Sequence, residues 1–275
     1  MIEIGKYNEL EVLRQVEIGL ILDGKELGDI LLPKRYVPKE FEQTLNIFLY
    51  LDSEDRLIAT TETPKAIVNE CALLKVESVS TIGAFLNWDL PKDLLLPYSE
   101  QKERVREGQW VVAKILLDKK SNRLFASTKL NKYLDKEESD FSYNEEVDIL
   151  IHSRTDLGHK AIINHTFWGM LYSNEVFRII KQGQKLKAFI KNVREDGKVD
   201  LTLQKSGYQQ IDSVSSDILE YIKAQGGSIP LTDKSSPEEI YRVFHISKKN
   251  FKKAIGTLYK SKLITLESSC INVIK

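Results

Sequence analysis

The chain has 275 residues, 42% of them hydrophobic and 29% charged, which is typical of a soluble protein built from two or more small domains. No run of about 18 apolar residues occurs, which argues against a membrane-spanning helix, and the N-terminal residues lack the apolar core of a signal peptide. Cys71 and Cys270 fall in different parts of the chain and predict two reduced thiols in a cytoplasmic protein.

The 40 basic and 40 acidic residues balance overall, but they are unevenly distributed. Residues 1–65 hold 8 basic and 13 acidic side chains, a net charge of −5, whereas residues 212–275 hold 10 basic and 7 acidic ones. A polyanion is therefore expected to prefer the middle and the end of the chain to its start.

Residues 1–65 alternate apolar and polar positions between turn residues, which predicts a domain of five strands. These strands are expected at Asn8–Val16, Gly19–Asp23, Asp29–Pro33, Asn46–Asp52 and Arg56–Thr61. A short charged segment, Tyr36–Gln43, separates the third strand from the fourth.

The same order returns in residues 66–135, which we interpret as a second copy of the domain. Its strands are expected at Ala72–Ser80, Ala84–Asn87, Leu94–Pro97, Trp110–Leu117 and Arg123–Ser127. The two copies end alike, with DSEDRLIATT at Asp52–Thr61 and DKKSNRLFAST at Asp118–Thr128.

Residues 136–211 are expected to hold part of a polar linker, Asn131–Asn144, and a third copy of the domain. Its strands are expected at Glu146–Ser153, Lys160–Asn164, Trp168–Leu171, Gln184–Val193 and Lys198–Leu203, with Asn174–Lys181 between the third and the fourth. Five strands with an insert at this point are the layout of an OB-fold barrel.

From about Asp212 the apolar period changes to about 3.6 residues, which predicts helices in residues 212–275. Ser236-Pro237-Glu238-Glu239 forms a capping box that opens the second helix, and the third begins at Ser247. Short strands are expected at Leu263–Leu266 and Ile271–Ile274. The predicted fold is mostly β with an α+β C-terminal domain: tandem OB-fold barrels followed by a winged helix-turn-helix.

OB barrels bind single strands by stacking bases on aromatic rings beside a basic groove, which directs attention to the aromatic and basic residues of each copy. In the second copy they are Phe85, Trp88 and Tyr98, with Lys92, Arg104 and Lys129 as phosphate partners. In the third copy they are His159, Phe167, Trp168 and Tyr172. In the first copy Ile21 takes the place of Phe85, which leaves Lys34, Arg35 and Tyr36. The alternative is that these rings fill the barrels.

The third helix of the C-terminal domain predicts a second basic surface. It carries Lys248, Lys249, Lys252 and Lys253 beside an apolar face formed by Phe251, Ala254, Ile255 and Leu258. These lysines are candidates for a nucleic-acid contact; the alternative is a lysine face that is merely solvated. Beyond Asn250 the helix offers no side chain suited to base readout, so specific duplex recognition is the weaker hypothesis.

Catalysis finds little support in the sequence. His152, His159 and His165 are spaced by seven and six residues, which fits neither HExxH nor a CxxC-type zinc site. Neither a GxSxG motif nor a glycine-rich phosphate loop occurs. We therefore expect a binding protein without metal or cofactor; a nuclease is the enzyme alternative.

Two sets of three strings carry a resemblance to known families. GAFL, KDLLLPYSEQ and GQWVVAKI resemble the RNA-binding OB domain first described in the ribosomal protein S-one. Together, ILLPKRYVP (Ile30–Pro38), GAFLNWDLPKDLLLPYSEQ (Gly83–Gln101) and FKKAIGTLYKSKLI (Phe251–Ile264) resemble the conserved virulence factor B family of bacteria. That resemblance implies three S-one-like barrels, a winged helix and an RNA-binding regulator linked to virulence-gene expression.

The sequence thus favours a regulatory protein that binds single-stranded RNA without strong sequence preference. One alternative is a transcription regulator that binds duplex DNA through the winged helix. Another is a protein-interaction scaffold on the ribosome or RNA polymerase, with the acidic first barrel as its contact surface.

Overall fold

The computed structural model describes residues 2–135, 138–173, 176, 179–204 and 208–274, with the backbone alone for 208–213. It contains three closed five-stranded barrels and a C-terminal domain of helices and a small sheet, so the predicted fold class is confirmed. Half of the segment Asn174–Lys181 and two linker residues, Lys136 and Glu137, lie outside the described residues.

The three barrels share one strand order. The first comprises β1 (Tyr7–Val16), β2 (Gly19–Asp23), β3 (Asp29–Pro33), β4 (Thr44–Leu51) and β5 (Leu57–Thr60). The second comprises β6 (Cys71–Val79), β7 (Gly83–Asn87), β8 (Leu94–Pro97), β9 (Trp110–Leu117) and β10 (Leu124–Ser127). The third comprises β11 (Glu146–Thr155), β12 (Gly158–Ile163), β13 (Phe167–Tyr172), β14 (Lys185–Val193) and β15 (Val199–Thr202). In each, the third strand pairs in parallel with the fifth, which closes the barrel in the OB arrangement.

A glycine opens the second strand of every barrel, at Gly19, Gly83 and Gly158. A Cβ atom at these positions would lie 2.0–2.3 Å from a carbonyl oxygen of the neighbouring third strand. Only glycine permits that approach, so the repeated glycine fixes the register between the second and third strands.

The second and third barrels pack through an apolar cluster that includes the linker. Leu130 and Leu134 are buried beside Cys71 of the second barrel and Leu150 and Ile162 of the third. Leu134 belongs to the predicted polar linker, Asn131–Asn144, so the N-terminal end of that segment packs against both barrels.

The C-terminal domain packs helices against a three-stranded sheet. Its elements are α1 (Tyr208–Ala224), β16 (Ser228–Ile229), α2 (Pro237–Phe244), α3 (Lys248–Lys260), β17 (Ile264–Leu266) and β18 (Ile271–Val273). The predicted capping box is present: Ser236 accepts from the Glu239 N–H, and the Glu239 carboxylate accepts from the Ser236 N–H. Sequence periodicity missed β16, because two residues show no period.

Within the described ranges, every helix is too short or too polar to cross a lipid bilayer.

Candidate nucleic-acid interface

The outer face of the second barrel carries a patch of apolar side chains. Phe85 on β7 lies opposite Leu95 on β8, and Leu95 lies opposite Phe125 on β10. All three are half-buried, whereas their strand neighbours Ala84 and Leu86 are fully buried. Because side chains alternate between the two faces of a strand, Phe85, Leu95 and Phe125 form one row across three strands.

This row lines a cleft of about 860 Å³ between the first and second barrels. Tyr50, Leu51, Ser53 and Asp55 of the first barrel line the cleft too. Ile82, in the loop before β7, contributes an exposed apolar side chain. In OB folds the face of the second and third strands and the loop between the fourth and fifth strands bind oligonucleotides. The cleft occupies that place.

Basic side chains stand at the edge of the cleft, in the loop between β9 and β10. Lys119, Lys120 and Arg123 are exposed and line it. Asp118 shapes this loop, since its carboxylate accepts from Ser121 Oγ at 2.6 Å and from the Lys120 N–H at 3.2 Å. Hydrogen bonds, that from Ser121 first, hold the pKa of Asp118 below its usual range. Cations beside partly exposed aromatic rings are the combination that binds a single strand.

Trp88 is buried, so the prediction that it stacks on a base is wrong. It is 2% exposed, and its ring meets Phe48 and Tyr50 of the first barrel edge to face, at centroid distances of 5.8 and 6.4 Å. Its Nε1–H donates to the Lys92 carbonyl oxygen at 2.6 Å. Trp88 therefore joins the first two barrels.

Lys92 was predicted to meet a phosphate, but the structure gives it another role. Its Nζ donates to the carbonyl oxygens of Leu51 at 3.1 Å and Asp52 at 2.5 Å, and lies 3.8 Å from the Asp55 carboxylate. These bonds tie Lys92 to the first barrel.

Tyr98 and Arg104 form a pair close to the cleft, in the segment after β8. The Arg104 guanidinium lies over the Tyr98 ring at 3.8 Å, and the Tyr98 hydroxyl donates to the Ser80 carbonyl oxygen at 2.6 Å. One face of the ring is thus covered by a cation. Base stacking by Tyr98 and a phosphate contact by Arg104 stay predictions.

The first barrel has no aromatic ring at the position of Phe85. Ile21, two residues after Gly19, stands there. Lys34 and Arg35 are exposed in the turn after β3, but Tyr36 is only 6% exposed and the Arg35 guanidinium lies 4.5 Å from its ring centroid. A stacking role for Tyr36 is therefore wrong, because its ring belongs to the core of the barrel.

In the third barrel the position of Phe85 is taken by Lys160, two residues after Gly158. The Lys160 ammonium lies 3.6 Å from the Trp168 ring centroid, and the Trp168 Nε1–H donates to Asn131 Oδ1 at 3.0 Å. Trp168 thereby contacts the segment that follows the second barrel. Base stacking by Trp168 and His159 stays a prediction.

Tyr172 lies at the end of β13, at the position that corresponds to Pro97 at the end of β8 in the second barrel. Its hydroxyl accepts a hydrogen bond from Arg194, which is also paired with Asp200 at 3.0 Å. Burial lowers the pKa of the nearby His159, and Arg154 lowers it further. A role for Tyr172 in binding stays a prediction.

The winged-helix lysines divide into two pairs. Lys249 and Lys253 are exposed on α3. Lys252 lies 3.6 Å from the Asp233 carboxylate, and the Lys248 ammonium donates to the Lys234 carbonyl oxygen at 3.3 Å. The apolar face of α3 is buried, as predicted.

Sequence reasoning missed several residues that line the cleft. Ile82 lies in the loop before β7, and the others lie in the fifth strand or the loop before it: Lys119, Lys120, Arg123 and Phe125. The aligned endings of the first two copies contained a signal, because they align Phe125 with Ile58 and so show an aromatic ring in the fifth strand of the second copy.

Comparisons with known proteins agree with this architecture. Residues 216–273 match the CvfB-like winged helix domain family, and residues 4–62 match the S1 domain family, where S1 is the S-one domain. Conserved virulence factor B of Staphylococcus saprophyticus is 25% identical over 280 residues, which cover 98% of this chain and 93% of that protein. That of Staphylococcus epidermidis (strain ATCC 12228) is 24% identical over 284 residues, covering 99% and 95%.

A crystal structure of a multidomain protein with nucleic acid binding domains from Streptococcus pneumoniae is 21% identical, covers 98% of both chains and gives a TM-score of 0.41. The sequence matches confirm the resemblance to conserved virulence factor B over nearly the whole chain. S1 and winged-helix domains are both nucleic-acid-binding types.

Proposed function

We propose that this homologue of conserved virulence factor B is a non-enzymatic regulator that binds single-stranded RNA in the bacterial cytoplasm. The observation that carries the proposal is the cleft of the second barrel, where Phe85 and Phe125 stand beside Lys119, Lys120 and Arg123. Rings of this kind stack on bases of any sequence, while Lys119 and Lys120 meet the phosphates; Arg123 is held by Asp55. The relatives' name motivates a role in virulence-gene expression, and the two free thiols, Cys71 and Cys270, are consistent with a reducing compartment.

The winged helix would supply a second, weaker contact. Lys249 and Lys253 are free of the local ion pair that holds Lys252. They would add attraction for phosphates without reading bases, because α3 offers little beyond Asn250 for base readout.

The test is fluorescence anisotropy with a labelled single-stranded RNA and a DNA duplex of the same length. Phe85→Ala and Phe125→Ala should each weaken RNA binding by about 1–3 kcal/mol, the usual worth of one base stack. Phe41→Ala is the matched control, since Phe41 is 42% exposed on the first barrel away from the cleft and should leave affinity unchanged.

Thermal melting must show that all three variants are folded. Unchanged RNA affinity in both cleft variants would refute the stacking hypothesis. Tighter binding of the duplex, abolished by changing Lys249 and Lys253, would instead move the function to the winged helix. Cleavage of the labelled RNA would show an enzyme.

A further inference from the structure

Asp93 is a carboxylate in the cleft that the proposed function does not use. It stands immediately before β8, two residues before Leu95, and lines the cleft with Phe85 and Phe125. Asp93 precedes Leu95 by two residues, about 7 Å along an extended chain, and both side chains line the cleft. A base stacked over this row would turn one edge toward Asp93.

Within the part of the chain that the structure describes, the Asp93 side chain takes part in no hydrogen bond and no ion pair. Lys92, its neighbour in sequence, is engaged with the first barrel, and Arg123, which lines the same cleft, is engaged with Asp55. The other acids of the cleft differ, since Glu100 is bonded to Ser127 and Lys132. Asp93 is thus an acceptor that lacks a donor.

The surroundings of the Asp93 carboxylate favour a ligand group that donates a hydrogen bond over one that accepts it. Partial burial, followed by the nearby Glu77 carboxylate, raises the pKa of Asp93. An ionised carboxylate only accepts hydrogen bonds. A ligand group carrying N–H donors would stabilise it, whereas a carbonyl oxygen would be repelled.

We propose that Asp93 reads the edge of the base held in the cleft and selects bases with an exocyclic amino group, cytosine, adenine or guanine, over uracil. Amino groups of bases donate to carboxylates, as cytosine N4 does to Asp and Glu in DNA complexes. Uracil presents carbonyl oxygens at the corresponding positions of its edge. This inference rests on the proposed function, and it replaces the expectation of binding without base preference.

The experiment compares labelled RNAs of about ten nucleotides, a length suited to one OB barrel. One is all uridine, one has cytidines at its centre, and two others have adenosine or purine riboside there, which differ only by the amino group. The protein should bind the cytidine RNA about tenfold more tightly than the uridine RNA, as expected for a hydrogen bond to a charged group. It should also prefer adenosine to purine riboside.

Asp93→Asn should bring both ratios close to one, because an amide both donates and accepts. Asp29→Asn removes one acidic charge from the first barrel outside the cleft and should keep both ratios. Equal binding of all four RNAs by the unaltered protein, or a preference that survives Asp93→Asn in a folded variant, overturns the role of Asp93 while RNA binding stands. Binding of none of the RNAs overturns the proposed function as well.

Discussion

Arg123 of the second barrel is ion-paired with Asp55 of the first, across the cleft that both residues line. Asp55 lies in the loop between β4 and β5, and its second carboxylate oxygen is 3.8 Å from Lys92 Nζ. The acidic first barrel thus neutralises part of the positive charge beside the apolar row. The net charge of −5 in residues 1–65 is therefore connected to the candidate binding site by a direct contact.

Replacing Asp55 with Asn should strengthen RNA binding, because Arg123 would become free to meet a phosphate. Asp55 has a φ of +60°, which Asn tolerates, so the fold should be retained. The expected signature is a steeper dependence of log affinity on log salt, by about 0.7 for each additional phosphate contacted. Anisotropy titrations at several salt concentrations measure it.

Asp29→Asn is the control for the overall charge. Asp29 also pairs with an arginine of the first barrel, Arg14 at 2.6 Å, but it lies outside the cleft. An equal gain in affinity in both variants would mean that the Asp55 contact has no special effect.

Trp88→Ala should cost about 3–5 kcal/mol in the free energy of unfolding, as usual when a large buried aromatic side chain is removed. The ring contacts Phe48 and Tyr50 across the boundary between two barrels, so the loss should also weaken their association. Denaturant unfolding followed by circular dichroism measures the change. Trp110→Ala is the matched control: Trp110 is 48% exposed, and the change should stay within about 0.5 kcal/mol.

The barrels and the winged helix were predictable because period and turn residues are local properties of the sequence. The role of Trp88 was not predictable, because the alternation of apolar and polar residues within one barrel cannot show that Trp88 is covered by a neighbouring barrel. Phe125 was overlooked for a related reason: its neighbour in the row, Leu95, is reached through a parallel pairing distant in sequence. The same holds for Arg123, whose partner Asp55 belongs to another barrel.

Gly83→Ala should destabilise the second barrel. A Cβ atom would lie 2.3 Å from the Leu96 carbonyl oxygen, and the φ of +159° is one that L-residues rarely adopt. Backbone strain of this kind costs about 1–3 kcal/mol before the steric overlap is counted. Calorimetry should show a lowered Tm. Gly256→Ala in α3 meets no atom within 4 Å and should instead stabilise its helix by up to about 1 kcal/mol.

His165 should make the contact between the second and third barrels sensitive to acid. Its Nδ1 accepts from the Cys71 N–H at 3.0 Å, and its carbonyl oxygen accepts from Lys114 Nζ at 2.6 Å. Burial lowers the pKa of His165, partly opposed by the Glu70 carboxylate. The unfolded chain, with a histidine pKa of about 6.5, therefore binds the proton more readily than the folded one. The stabilisation that His165 provides is therefore complete above its pKa in the unfolded chain. It is lost as the pH falls through its pKa in the folded protein.

His165→Asn separates this effect from the titration of the many carboxylates. Asn offers an acceptor for the Cys71 N–H and tolerates the φ of +61°, but it does not titrate. Between about pH 7.5 and about pH 5.5, the range in which histidines change charge, Tm should fall less in this variant than in the unaltered protein. His245→Asn, at an exposed position with a φ of +54°, should keep the full fall. Equal falls in all three proteins would show that protonation of His165 does not weaken the contact between the barrels.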